Sequence, residues 1–196
     1  MSTKQKILQA GKKLFAEKGL NGTSTREIAH EAGVNLAGLH YHFQSKQHLY
    51  DEVAKSIFLE FEHQIETIKN EQQWDTESFS VRMLELLFTD DCRFIESLRI
   101  LTAGSIDKYV PESLGNKMIN YGNESYVIGD LIAHETSRDN KDEKVMWAVR
   151  VIMSFLKLNG LRYHLTRKTQ LEIPRSVFEQ DVRTLVRVII NELKKD

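Results

Sequence analysis

The 196-residue chain holds one cysteine, two prolines and no apolar run near the roughly 20 residues needed to cross a bilayer. A single thiol, Cys92, excludes an intrachain disulfide; it reads as a buried structural thiol, with a redox sensor as the alternative. The scarcity of proline and the lack of convincing period-two alternation argue against strands and for helices throughout. There is no Gly-rich phosphate loop, no His-Glu-x-x-His and no serine and histidine paired in a recognisable elbow, so catalysis has no visible centre. The start, Met1-Ser-Thr-Lys-Gln-Lys6, leads into an amphipathic pattern and not into a signal peptide's apolar block. A soluble, cytoplasmic protein with no membrane partner is expected.

Charge of one sign is also lacking overall, with 27 Lys+Arg against 28 Asp+Glu. The distribution is uneven. Residues 1–50 carry seven basic side chains (Lys4, Lys6, Lys12, Lys13, Lys18, Arg26, Lys46) and three acidic ones (Glu17, Glu27, Glu31), net +4. The remainder holds 20 against 25, net −5. A basic head on an acidic body confines attraction for phosphate to one end of the chain.

The head also contains the most informative pattern. Ser2 with Gln5, and Ser24 with Glu27, have the spacing of reciprocal capping boxes that open helices. Ile7, Leu8, Gly11, Leu14 and Phe15 make one face before Lys18-Gly19 ends the first helix. In the second, Ile28, Ala29 and Ala32 share a face. Gly33 supplies a left-handed turn position, and Asn35 can cap a third helix whose Leu39 and Phe43 point back at Ile28 and Ala32. Two short helices joined so tightly cross steeply, which frees the second to enter a major groove.

The runs Thr25-Arg-Glu-Ile-Ala29, Ala32-Gly-Val34 and Leu39-His-Tyr-His-Phe-Gln-Ser-Lys46 closely resemble the signature of the tetracycline-repressor (TetR) family. Beyond the head, only length and helical texture are similar. Pattern and resemblance together predict an all-α fold. Residues 1–46 are expected to form a three-helix DNA-binding domain with a helix-turn-helix, and residues 47–196 a helical ligand-sensing and dimerisation domain.

DNA roles follow residue by residue. Arg26 is the one guanidinium in the motif; its fork suits guanine's two major-groove acceptors, as the matching family position implies, or a backbone phosphate. The outward positions of the recognition helix are Leu36, Ala37, Gly38 and His40, and Asn35 at its start is counted with them. Many relatives carry hydrogen-bonding side chains there. This departure predicts thymine-methyl contacts from Leu36 and Ala37, close backbone approach at Gly38, a donor at His40 and a strong reliance on operator shape. Tyr41, His42 and Lys46 correspond to the family's phosphate-holding positions, with Thr25 adding a hydroxyl. His30, His40, His42 and His48 crowd into the head, but positions 40 and 42 face different ways on a helix and no cysteine or carboxylate cluster completes a metal site. No metal or other cofactor is expected. Near-neutral imidazoles in a phosphate field predict instead that DNA binding strengthens toward acid pH.

From Ser45 a longer helix carries Leu49, Val53, Ile57, Phe61, Ile65 and Ile68 and is expected to belong to both domains. After a polar break at residues 70–75, one helix runs through Phe79, Met83, Leu86 and Leu87 and another through Phe94, Ile95, Leu98 and Leu101. Val110-Pro111 precedes a helix to about Thr136, in which Gly115, Gly122 and Gly129 line one stripe, either for close approach of a neighbour or as a weak wall of a cavity. Asn140 with Glu143, and Ser176 with Glu179, mark the last two helix starts, with a loop around Thr169–Arg175 between those helices.

The final helix has too wide an apolar band for one core stripe. Ala148, Ile152 and Phe155, with Val182, Leu185, Val186, Ile189 and Leu193, are therefore expected to build a four-helix bundle with a second copy, the dimer that the resemblance also implies. The ligand cavity for an unidentified small-molecule effector is assigned to Phe79, Met83, Phe88, Tyr109, Met118, Tyr121, Tyr126, His134 and Trp147. The function that results is a homodimeric regulator, a repressor released from a palindromic double-stranded DNA operator when ligand in the body tilts the long helix. The rival is a helical enzyme or partner-binding bundle without sequence-specific DNA binding. It would have to hide its chemistry in scattered polar groups and leave the basic head decorative.

Overall fold

A computed structural model of the chain describes residues 1–89, 122–167 and 173–195. Among these residues the chain is all-helical: α1 Thr3–Gly22, α2 Thr25–Glu31, α3 Leu36–His42, α4 Lys46–Lys69, α5 Thr76–Phe88, α6 Gly122–Thr136, α7 Glu143–Thr166 and α8 Arg175–Leu193. None of the helices is long and apolar enough to cross a membrane. The chain divides into two compact units, whose described parts are residues 1–61 and residues 62–89, 122–167 and 173–195. The segment through Phe94 and Leu101, the Val110-Pro111 break, Gly115, Cys92, Tyr109, Met118 and Tyr121 lie outside the described residues, as does the side chain of Tyr126.

In the first unit, Ser2 and Ser24 each complete the expected capping box. Ile7, Leu14, Phe15, Ile28, Leu39 and Phe43 close around one core, joined from α4 by Leu49, Tyr50, Val53 and Ile57. Those α4 residues extend the unit to Phe61, past the boundary expected at residue 46. Gly19 does break α1, with φ 69° and ψ 176°, a region open in practice only to glycine. One further helical turn then runs to Gly22. Buried Thr23 secures this bend by donating its hydroxyl to the Leu14 and Gly19 carbonyls.

In the second unit α5 packs against both α7 and α8, and α6 lies on α7. Phe79, Leu84, Ile128, Ile132, Val145, Ile152 and Phe178 are all fully buried. The closest approach is at Gly160 of α7, where an added Cβ would stand 2.8 Å from Leu87 Cβ. Gly129, by contrast, would place a Cβ at an ordinary 3.5 Å from Val149, so the described part of the glycine stripe does face a neighbouring helix. Glu77 of α5 receives Arg187 of α8 through two nitrogens and Arg183 through a third, which ties the two helices side by side.

Two helix starts differ from expectation. Asp142, not Asn140, caps α7 by accepting from Lys144 N–H, and Asn140 donates instead to Asp130 of α6. Pro174 precedes α8 with no side-chain cap, which leaves Ser176 inside the first turn. Proline's fixed φ starts that helix without help from Ser176.

Candidate nucleic-acid interface

The second and third helices meet as the sequence predicts. At the start of α2 the Ser24 hydroxyl oxygen accepts from the Glu27 N–H, and the Glu27 carboxylate accepts from the Ser24 N–H. Gly33 turns the chain at φ 65°, and the Asn35 side chain accepts from Gly38 N–H at 2.7 Å to start α3. A Cβ on Gly38 would approach that same Asn35 oxygen at 3.1 Å. Gly38 therefore serves the cap as well as leaving the backbone open. Leu39 is completely buried beneath α3 and anchors it to Ile28 and Phe15 in the common core.

Outward from this anchor, Arg26, Asn35, Ala37, His40 and Tyr41 are exposed, and Thr25, Gly38 and His42 are half-buried. Tyr41 leaves 86% of its surface to solvent, although it is a large aromatic side chain. A side chain of that kind standing free on a recognition helix has an amphipathic ring and a hydroxyl donor ready for a backbone phosphate. Leu36 departs from expectation. It is half-buried and packs against the core of the head, because the first turn of α3 leans on that core, and less of it remains for a thymine methyl.

Lys46 departs further. Its ammonium donates to the Leu20 and Thr23 carbonyl oxygens at 2.7 and 2.9 Å, and the side chain is half-buried. Two of its three protons thus hold the α1–α2 connection to the start of α4.

The head's positive charge is also smaller than the first 50 residues suggest. Over residues 1–61, eight basic side chains face six acidic ones, net +2, because Asp51, Glu52 and Glu60 of α4 belong to the same unit. Lys12 pairs with Glu60, Lys13 with Glu31 and Lys18 with Glu27. The Lys18 ammonium, helped by the Ser24 amide and hydroxyl, holds the Glu27 carboxyl down at about 2, and Lys13 lowers Glu31 in the same way.

A group that sequence reasoning missed lies where α3 passes into α4. Around the buried Phe43 ring stand His48 at 5.9 Å, His42 at 6.5 Å and the Lys4 ammonium at 5.8 Å, with Tyr41 edge-on to His42 at 5.1 Å. Lys4 comes from the start of α1, so no local spacing could announce it.

A family model described as "Bacterial regulatory proteins, tetR family" matches residues 7–53. Over these residues the head is similar to the N-terminal domain of the TetR family. The protein named "Probable HTH-type transcriptional regulator YttP", from Bacillus subtilis (strain 168), is 35% identical over 88 residues, 45% of this chain and 42% of that one. "Biofilm operon icaADBC HTH-type negative transcriptional regulator IcaR" of Staphylococcus aureus (strain Newman) is 30% identical over 92 residues, 47% of this chain and 50% of that one. The chain thus spans half or less of the length of these relatives, and both are regulators rather than enzymes by name.

The likeness in fold runs further. A crystal structure of a Pseudomonas aeruginosa PAO1 protein matches with TM-score 0.78 at 17% identity, covering 98% of this chain and 92% of that one. A TetR-like transcriptional regulator from Rhodococcus sp. RHA1 matches with TM-score 0.63 at 16% identity, over 94% and 93%. These two likenesses, at under 25% identity, concern the fold alone.

Outside the head, the residues expected to line the cavity and the dimer face differ in burial. Phe79, Met83 and Phe88 are closed into the core of the second unit, while His134 and Trp147 are exposed. Ala148, Ile152, Val182, Val186, Ile189 and Leu193 are buried within the chain itself, because they lie on the stripes of α7 and α8 that face α5 and each other. Phe155 and Leu185 are half-buried. Large apolar side chains instead reach solvent at Trp147, Leu158, Leu161 and Leu165 on α7 and at Val177 and Val188 on α8.

Proposed function

We propose that the chain is a DNA-binding transcriptional regulator that acts as a homodimer, most simply as a repressor. The observation that carries this reading is the TetR-like head itself: a buried Leu39 fixes α3 while Arg26, His40 and Tyr41 stand exposed beside it. One such head covers one half-site, and specificity at useful affinity requires two, set about 34–36 Å apart on a roughly palindromic operator.

The dimer face we assign is the outer row of α7 and α8. Trp147, Ser154, Leu158, Leu161 and Leu165 follow the heptad spacing of a helix seam, and Val177 and Val188 extend it on α8. Leu158 and Val188 are each 62% exposed in the single chain, a costly arrangement unless a second copy covers them. Release by a small molecule is the further part of the proposal. α4 runs from the head into the second unit, so a ligand that favours one placement of α4 biases DNA binding, and DNA weakens that ligand by the same factor. The test is a titration of the purified protein into duplex DNA with and without Arg26→Ala. Loss of affinity in the variant at unchanged helicity supports the reading; equal binding by both proteins opposes it.

A further inference from the structure

We propose that Thr23, a buried residue between α1 and α2, is a positioning residue for DNA recognition: it sets the direction in which α2 and α3 meet the duplex. This inference rests on the DNA-binding reading above and adds to it a residue outside the runs that resemble the family signature.

Only Thr23 and Ser24 separate α1 from α2, so the direction of α2 follows from the backbone at these two positions. Ser24 serves the local capping box, which fixes the start of α2 but ties it to no other helix. Thr23 makes the outward ties. Its side chain is only 2% exposed, and its hydroxyl proton is shared between the Leu14 carbonyl at 3.1 Å and the Gly19 carbonyl at 2.8 Å. One acceptor lies before the break in α1 and the other at it. The Thr23 carbonyl oxygen accepts the Lys46 ammonium at 2.9 Å, from the first residue of α4. A single residue is thereby bonded to α1 on one side and to α4 on the other, and its extended backbone, φ −110° and ψ 134°, leads the chain into α2.

The apolar core holds the head together without fixing its angles. Ile7, Leu14, Phe15, Ile28 and Leu39 contribute burial, which is non-directional, whereas a hydrogen bond weakens steeply as it bends. The ion pairs between α1 and α2, Lys13 with Glu31 and Lys18 with Glu27, are exposed and constrain little. Orientation then falls to Thr23. Thr25 and Arg26 follow it by two and three residues, and the tight turn at Gly33 joins α3 to α2. A swing of α2 about Thr23 therefore carries Arg26, His40 and Tyr41 with it. Recognition of base edges needs placement to within about 0.5 Å and 10–20°, while the sequence-independent attraction of phosphate tolerates a looser fit. Loss of the Thr23 ties should thus weaken specific binding more than non-specific binding.

The experiment uses the full chain and two duplexes of about 30 base pairs, long enough for two half-sites: one enriched by wild type from a random library, the other scrambled from it. Affinity is measured from about 50 to 200 mM NaCl for wild type, Thr23→Val and Thr23→Ser, at a temperature where circular dichroism shows each protein folded. Thr23→Val keeps the shape and removes the hydroxyl. It should weaken binding to the enriched duplex about tenfold, the effect of one mismatched base pair, and leave affinity and salt slope on the scrambled duplex unchanged. Thr23→Ser keeps the hydroxyl and should bind the enriched duplex as wild type does. If Thr23→Val does not fold, Thr23→Cys, whose thiol is a weaker donor, should lose a smaller part of the same preference. Folded Thr23→Val that binds the enriched duplex like wild type would limit Thr23 to stability and overturn the proposal, with the DNA-binding reading intact. Equal losses on both duplexes would also overturn it, and a slope shallower by about 0.9 per head would then mark a lost phosphate contact. A loss in Thr23→Ser as large as in Thr23→Val would assign the effect to the methyl and sink the hydroxyl's role. If wild type enriches no duplex at all, the DNA-binding reading itself falls, and this inference with it.

Discussion

Lys46 of α4 places its ammonium 2.9 Å from the carbonyl oxygen of Thr23, the residue that joins α1 to α2. With the Leu20 carbonyl as second acceptor, this one side chain fastens three helices of the head at a single point. Lys46→Met keeps the length of the stem and removes the charge. It should destabilise the protein by about 1–3 kcal/mol, the range for hydrogen bonds to a charged group, read as a shift of the urea midpoint. A midpoint equal to wild type would return Lys46 to a purely DNA-contacting role.

Gly160 and Leu87 make the tightest approach between α7 and α5. Gly160→Ala should cost about 1–3 kcal/mol through overpacking. The same substitution in a Leu87→Gly background should cost less, since the Cβ that it would meet is gone. A double-mutant cycle measures this coupling, and simple additivity would contradict it.

The proposed dimer face separates two kinds of apolar residue on the same helices. Leu158→Glu, at an exposed position, should convert the dimer to a folded monomer in sedimentation or light scattering. Ile189→Ala, at a buried one, should lower stability by about 2–5 kcal/mol, with dimerisation affected only through that loss. A Leu158→Glu protein that stays dimeric would move the interface elsewhere.

Acid should loosen the head through Glu27. Its carboxyl is held at about 2 in the folded protein against an ordinary 4.5, first by the Lys18 ammonium and then by the Ser24 cap. A group with a lowered folded value contributes stability above its unfolded value and loses it as pH falls through the folded one. The stability difference between wild type and Glu27→Gln should therefore shrink from about pH 4.5 down to about pH 2 and narrow further in high salt. A difference constant across that window would contradict the assignment.

The readout of bases should be sparse. With Leu36 turned partly to the core, Ala37 and His40 remain the exposed side chains on α3 before Tyr41. A base-substitution scan of an operator should show shallow preferences beneath α3, with sensitivity spread over non-contacted steps. Several sharp, polar-type preferences there would overturn this reading.

What the sequence made legible was local. The boxes at Ser2 and Ser24, the turn at Gly33 and the cap at Asn35 each depend on residues three or four positions apart, and each forms as its spacing dictates. Spacing failed where several candidates compete. In the run Asp139-Asn140-Lys141-Asp142, a contact with Asp130 of α6 occupies Asn140 and leaves the cap to Asp142. Periodicity likewise identified α8 as apolar on more than one side, yet it could not say which side its own core would take. Ile189 and Val188 are neighbours in sequence, and one is buried while the other is open. The acceptors of Lys46 and the cluster around Phe43 join residues more than 20 positions apart, beyond the reach of any pattern in the chain.

The most direct test of the central claim is the affinity of the purified protein for the DNA immediately upstream of its own gene, against a scrambled duplex of equal length at matched salt. The account predicts tight binding by a dimer to the first and weak, salt-sensitive binding to the second. Equal, weak binding to this pair, and to every other fragment in a genomic selection, would contradict the reading of α3 as a sequence-reading helix.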